Sequence, residues 1–246
     1  MTTFEDITSD AQTNPAILGL ILVGSRGKGF ENAHSDHDAI LIVTDDAADT
    51  LHRKYANTPN IDLMIFTPAQ FDSYAAWDTP MAWDRYNFAH TKLLVDKTGT
   101  LAARIAEKGA IPKDKQKSVI DARIDAYVNG TYRSVKCIRN GNQLGAHLEA
   151  ANSMLDLIAL VFALNGRHAP FYGYLEKEIT TYPLALLPLP REALLAAIRH
   201  VLDAADLSSQ QTLLTATESL CRKQGHGAIF DRWDGKDKWA MTWQPQ

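Results

Sequence analysis

At 246 residues the chain has room for one large core or two modest ones, and a hydrophobic content of 46% excludes wholesale disorder. Its 25 basic and 29 acidic side chains leave a net charge of -4, so no global positive field gathers a phosphate backbone and small-molecule partners are favoured over nucleic acid. The two cysteines, Cys137 and Cys221, lie far apart without C-x-x-C or C-x-x-H spacing, which supports neither a zinc site nor a disulfide framework.

The start, Met1 to Gln12, is polar and acidic where a secretory leader needs a basic end and then an apolar run. No apolar run approaches the roughly 18 to 20 uncharged residues that span a bilayer. The nearest is Leu157 to Leu164, and the expectation is a cytoplasmic chain with no membrane partner. Ala16 to Val23 (AILGLILV) is apolar on both alternating faces and ends at Gly24, which reads as a strand buried inside a sheet. Asp38 to Val43 (DAILIV) predicts a second strand, Ala47 to Tyr55 a helix, and Asn60 to Phe66 (NIDLMIF), bounded by Pro59 and Pro68, a third strand. Tyr86 to Asp96 predicts a further strand, followed by a short helix over Leu101 to Lys108.

Beyond Pro112, a residue suited to a first helical turn, the apolar period changes from two to about 3.6. A helix over Lys113 to Arg139 carries an apolar row at Ile120, Ile124, Val128, Thr131, Val135 and Ile138. Leu144 to Leu164, closed by Asn165-Gly166, predicts the next helix, and Arg191 to Ala205 and Ser208 to Lys223 two more. Three strands with intervening helices over 1–110, followed by a helical bundle over 111–246, make the expected fold class α+β: a sheet flanked by helices and then a helical domain.

The chemistry concentrates in GSRGKGFENAHSDHDAILIV, which starts at Gly24. It reads as a strand end, a Gly-Ser turn, a polar spacer, and Asp-x-Asp entering the next strand, with ten residues between Ser25 and Asp36. Strand residues i and i+2 point to one face about 6.5 to 7 Å apart, so Asp36 and Asp38 aim together. Two carboxylates so placed repel unless a cation lies between them, and magnesium favours a few carboxylates together with phosphate oxygens and water. Asp62 sits opposite Ile61, Leu63 and Ile65 and is the candidate third member, as metal ligand or proton acceptor. Gly24 allows close backbone approach, and the Ser25 hydroxyl adds a donor for phosphate. The turn lacks the Gly-Lys-Ser/Thr ending of a P-loop, and Asn32 breaks a Gly-x-Gly-x-x-Gly reading from Gly27.

These residues resemble the DNA polymerase beta-like nucleotidyltransferase superfamily, particularly its small-molecule branch of kanamycin and other aminoglycoside nucleotidyltransferases. The signature, apolar-Gly-Ser followed by Asp-x-Asp, covers about Leu22 to Phe66, with weaker likeness at YRSVK, HLEAANSMLDL and the Asn-Gly-Arg before Pro170. The resemblance implies transfer of a nucleoside monophosphate from ATP or another nucleoside triphosphate to a hydroxyl of a small acceptor. It also implies two Mg2+ ions and release of pyrophosphate. It implies metal binding by Asp36, Asp38 and Asp62, and phosphate binding by Gly24 and Ser25. Modification of tRNA or protein, and a non-catalytic nucleotide-binding protein retaining the fold, stay open as alternatives.

Blander readings stand beside several positions. Arg26 and Lys136 are candidate phosphate contacts, Lys136 in a row with Tyr132 and Arg139, yet surface cations need no function. Glu149 shares a helix face with Asn152, Ser153 and Asp156 and is a candidate general base; a wet helix face explains the row equally well. Leu148, Leu155, Ile158 and Phe162 mark another face of that helix. His37 points away from the aspartates, and His34, His90 and His147 have no identifiable partner. In WDTPMAWDRY, from Trp77 to Tyr86, aromatics and acids suit a base, a sugar or a cation, with core packing the expectation for Trp83.

Overall fold

A computed structural model describes residues 2–233 and 237–245, and the chain divides into two compact units, Met1–Ala110 and Ile111–Gln246. The first contains helix α1 (Phe4–Thr13), strand β1 (Ile17–Leu22), helix α2 (Gly24–Lys28), strand β2 (His37–Val43), helix α3 (Ala48–Lys54) and strand β3 (Ile61–Phe66). Helix α4 (Pro68–Ser73), a 3-10 helix (Ala82–Phe88), strand β4 (Lys92–Asp96) and helix α5 (Leu101–Lys108) complete it. The sheet order is β3-β2-β1-β4, with β1 antiparallel to both β2 and β4, and β2 parallel to β3.

The period-2 alternation of β2 builds two cores, one on each face of the sheet. Ala39, Leu41 and Val43 pack with Leu20, with Ile7 and Ala11 of α1, and with Leu51 of α3. Ile40 and Ile42 pack on the other side with Ile21, Val23, Phe71 of α4, Phe88, and Leu101 and Ile105 of α5. The helices α1 and α4, absent from the sequence expectation, both begin in reciprocal capping boxes: Thr3 with Asp6, and Thr67 with Gln70. Each side chain satisfies an N–H at the helix start, so short polar segments become stable covers for the sheet.

The expected strand over Tyr86 to Asp96 begins only at Lys92. Its first residues instead close the 3-10 helix, because three buried cations fasten carbonyls on and around that segment. Lys28 Nζ donates to the carbonyls of Tyr86, Asn87 and Ala89. Arg85 donates to Ala75, Glu107 and Ala110, and Lys108 to Asp72 and Tyr74. Burial lowers the pKa of Arg85 and of Lys108, the cost of charges held among carbonyl dipoles.

The second unit is helical: α6 (Lys113–Arg139), α7 (Gln143–Leu164), α8 (Leu175–Thr181), α9 (Arg191–Ala204), α10 (Leu207–Lys223) and α11 (Gly227–Asp231). The protein is therefore α+β, a small mixed sheet with helices followed by a helical region. Helices α6 and α7 form an antiparallel pair held at small residues. A Cβ on Gly130 would lie 2.9 Å from Ser153 Cβ, and Ser134 Oγ donates to the Ala146 carbonyl at 3.0 Å. The apolar row of α6 is buried from Ile120 to Val135, with Tyr127 added to it.

Leu148 and Leu155 are exposed while Ile158 and Phe162 are buried, so these four residues do not form one buried stripe. Counted as a whole helix rather than as an uncharged run, α7 is long and apolar enough to cross a membrane by length and composition. Packing on α6 and α9 accounts for that apolar character, since more than half of its apolar window is buried.

Candidate active site

The end of β1 and the starts of β2 and β3 meet at one corner of the sheet. Val23 N donates to the Asp38 carbonyl at 2.9 Å, which fixes the Gly24 turn beside Asp38. In the parallel pairing of β2 and β3, Asp38 and Asp62 are direct register partners. Their alternate neighbours Ile40, Ile42, Met64 and Phe66 belong to the same core, so the two carboxylates share a face. Asp36 precedes β2 by one residue. Its backbone is held from α2: Arg26 Nε donates to the Asp36 carbonyl at 2.8 Å and Nη2 to the Ser35 carbonyl at 2.7 Å.

Gly24 has a φ of 58°, and a Cβ there would overlap the Asp38 carboxylate. Two demands therefore select glycine, a left-handed backbone and a close approach. The first hydrogen bond of α2 runs from Gly27 N to the Val23 carbonyl at 2.9 Å, which leaves the earlier N–H groups of the turn outside the helical ladder. Ser25 is buried; its carbonyl accepts from Phe30 N, and its hydroxyl has no hydrogen-bond partner among the described residues.

The electrostatics centre on Asp38. Burial raises its pKa above the usual carboxylate value, the charges of Asp36 and then Asp62 raise it further, and Lys28 opposes them. Lys28 is a weak counterweight because its ammonium already serves three backbone carbonyls. Beside Asp62 lies a further pair that the sequence did not single out: the Tyr74 hydroxyl donates to Asp84, which also accepts from Asn87 Nδ2 at 2.6 Å. Burial pushes the Tyr74 phenol up, with the Asp84 hydrogen bond, the Asp84 charge and then the Asp62 charge adding to it.

Three carboxylates of one sign around a glycine turn fit a divalent cation, whose charge would relieve their mutual repulsion. Among the described residues no group of three or more His, Cys, Asp or Glu side chains is arranged to hold a metal ion.

The other predicted residues are placed as follows. His37 stacks on Phe4 at 4.4 Å, on the sheet face opposite Asp38. Trp83 is 64% exposed, against the expectation of core packing; the buried members of its segment are Asp84, Arg85 and Tyr86. Lys136 and Glu149 lie in the second unit, Lys136 exposed on α6 and Glu149 on α7 in a 3.4 Å ion pair with Arg133. Of the row proposed with Lys136, Arg139 covers Trp239 at 4.1 Å and Tyr132 packs against Trp233 and Trp239. The Asn-Gly-Arg segment is structural, since Asn165 bonds to Val161 and Leu186 and Arg167 pairs with the buried Glu178.

No protein-family model matches the chain, and no curated protein matches it. Among solved structures, it is similar to a nucleotidyltransferase-like protein from Exiguobacterium sibiricum 255-15, at 11% identity and a TM-score of 0.45, over 92% of this chain and 76% of that one.

Proposed function

We propose that the chain is a metal-dependent nucleotidyltransferase that moves a nucleoside monophosphate, AMP from ATP as the first candidate, onto a hydroxyl of a small molecule. The observation that carries this reading is the convergence of Asp36, Asp38 and Asp62 on a glycine turn that only a residue without a Cβ can make beside Asp38. Carboxylates alone would repel a triphosphate, so their grouping at a phosphate-accepting turn is explained by a Mg2+-nucleotide rather than by the bare nucleotide. Bound Mg2+ would supply charge neutralisation of the pyrophosphate leaving group.

The chain's own residues do the rest. The Ser25 hydroxyl and the N–H groups of the Gly24 turn orient the β- and γ-phosphates. Arg26 keeps Asp36 beside Asp38 through its two backbone hydrogen bonds. The acceptor oxygen attacks the α-phosphorus, the α–β phosphoanhydride bond breaks, and pyrophosphate leaves with the bonding electrons. The acceptor proton passes to a carboxylate, with Asp62 the candidate. The acidic net charge favours a small, neutral or cationic acceptor over tRNA.

The test is incubation of the protein with ATP, Mg2+ and a panel of hydroxylated acceptors that includes aminoglycosides, followed by mass spectrometry for an AMP adduct and by a pyrophosphate assay. An adduct that disappears in the Asp36→Ala/Asp38→Ala double variant supports the reading. Equal activity in that variant would overturn it, and tight ATP binding without turnover on any acceptor would leave a non-catalytic binding protein.

A further inference from the structure

The helical unit contains a second polar cavity, of about 380 Å³, lined by Lys113, Gln116, Lys117, Leu164, Gln224 and His226 among others. Its walls come from the start of α6, the end of α7 and the end of α10. Among the described residues no carboxylate lines it. Asp121, close by, is bound from two sides, by Lys117 Nζ at 2.5 Å and by His226 Nδ1 at 2.7 Å. Burial alone would raise the Asp121 pKa, but those two hydrogen bonds bring it below the usual value, so the carboxylate stays ionised behind the histidine.

The geometry points to this cavity as a binding site for a phosphate group, carried by inorganic phosphate or a small soluble phosphomonoester. The His226 side chain is only 10% exposed, and Asp121 occupies its Nδ1. Nε2, on the opposite edge of the ring, has no hydrogen-bond partner among the described residues, although the residue lines the cavity. Asp121 on Nδ1 fixes the orientation of the ring and leaves its Nε2 edge as the one a ligand can meet. Among the described residues the charged groups that line the cavity are Lys113 and Lys117 of α6, while α7 contributes Leu164 and the segment after α10 contributes Gln224 and Gly225. Lys113 has no carboxylate partner among the described residues, and the Gln224 amide has no hydrogen-bond partner among them.

Of the three helix ends at this cavity, only the start of α6, which has no side-chain cap, is of the sign that favours an anion. The carbonyls that would oppose an anion are already occupied: Ala163 accepts from Gly166 N and Gln116 Nε2, and Cys221 accepts from Gln224 N and His226 N. A tetrahedral dianion offers acceptors in several directions at once, as donors arriving from three separate elements require. A planar monocarboxylate does not.

This site is independent of the proposed nucleotidyl transfer, and its test reads His226 directly. Inorganic phosphate is titrated into the full-length protein while the carbon-bound ring protons of His226, assigned by their loss in His226→Gln, are followed by NMR. The expected result is a saturable shift whose apparent Kd weakens about tenfold, equivalent to ~1.4 kcal/mol, in Lys113→Ala. Lys113 makes no side-chain hydrogen bond or ion pair among the described residues, so its truncation is expected to leave the fold intact. The shift should also persist in Ser25→Ala, which removes a donor of the Gly24 turn and so separates the two sites. A shift that does not saturate, that sodium acetate reproduces equally, or that Lys113→Ala leaves unchanged would overturn the proposal.

Discussion

Gly24 and Asp38 compete for one space: the Gly24 backbone, at a φ of 58°, faces Asp38 so closely that a Cβ would overlap its carboxylate. Gly24→Ala therefore meets two penalties, a left-handed backbone for an L-residue and a forced shift of Asp38. Together they are expected to cost about 2 to 4 kcal/mol. Denaturant unfolding measures the loss. Adding Asp38→Ala should recover the overlap part and leave the backbone part, so a double variant no more stable than Gly24→Ala would refute the assignment of the clash to Asp38.

Asp38 makes stability depend on pH. Its folded pKa lies above the unfolded value, because burial and the charges of Asp36 and Asp62 favour the protonated form. The folded state thus binds the proton more tightly. The associated stability is complete below the ordinary carboxylate pKa of about 3.9 and is lost as pH rises through the raised folded value. At neutral pH the ionised group opposes folding, so Asp38→Asn should raise the thermal midpoint there by about 3 to 6 °C, with the gain vanishing in acid. Mg2+ should then stabilise the wild type and not the variant. Scanning calorimetry at the two pH values, with and without Mg2+, decides. An equal gain at both pH values would remove repulsion as the cause.

Much of this site was legible because it is local. Gly24, Ser25, Asp36 and Asp38 fall within one strand-turn-strand segment, and strand alternation sets Asp62 opposite Ile61, Leu63 and Ile65, while its place beside Asp38 comes from the β2–β3 register. What escaped was non-local. Nothing in the run GSRGKG distinguishes Lys28 from a surface lysine, since its burial depends on carbonyls more than fifty residues away, those of Tyr86, Asn87 and Ala89. The same holds for His226, whose partner Asp121 lies on a distant turn of α6. The helices α1 and α4 were readable in principle from their capping boxes. Trp83 was misread because a tryptophan in a mixed segment carries no periodicity to give its face, and the buried positions went to Asp84 and Arg85, which have partners.

Arg26 acts on Asp36 through the backbone rather than through its charge. Its Nε and Nη2 grip two successive carbonyls, at Ser35 and Asp36, a geometry that a lysine ammonium reproduces only in part. If the chain transfers nucleotides as proposed, Arg26→Ala should raise the KM for Mg-ATP roughly tenfold with a smaller effect on kcat, and Arg26→Lys should recover part of that loss. Steady-state kinetics with a fixed acceptor provides the measurement. An unchanged KM in Arg26→Ala would leave the arginine a surface residue and Asp36 positioned without it.

Lys28 links the glycine turn to the 3-10 helix across the core, and its replacement tests whether that link is structural. Lys28→Met keeps the length and apolar stem of the side chain but deletes an ammonium that satisfies three carbonyls and lies 4.6 Å from the Tyr86 ring. Volume is nearly conserved, so any large effect comes from carbonyls left without a donor inside the protein. The expected loss is about 3 to 5 kcal/mol, from desolvated acceptors that regain no partner. The variant also removes a positive charge that opposes protonation of Asp38, so the Asp38 pKa should rise further. Urea unfolding and a carboxyl-directed NMR titration read the two effects separately. A loss within about 0.5 kcal/mol, the range of neutral surface substitutions, would show that water or a rearranged backbone takes over the three carbonyls.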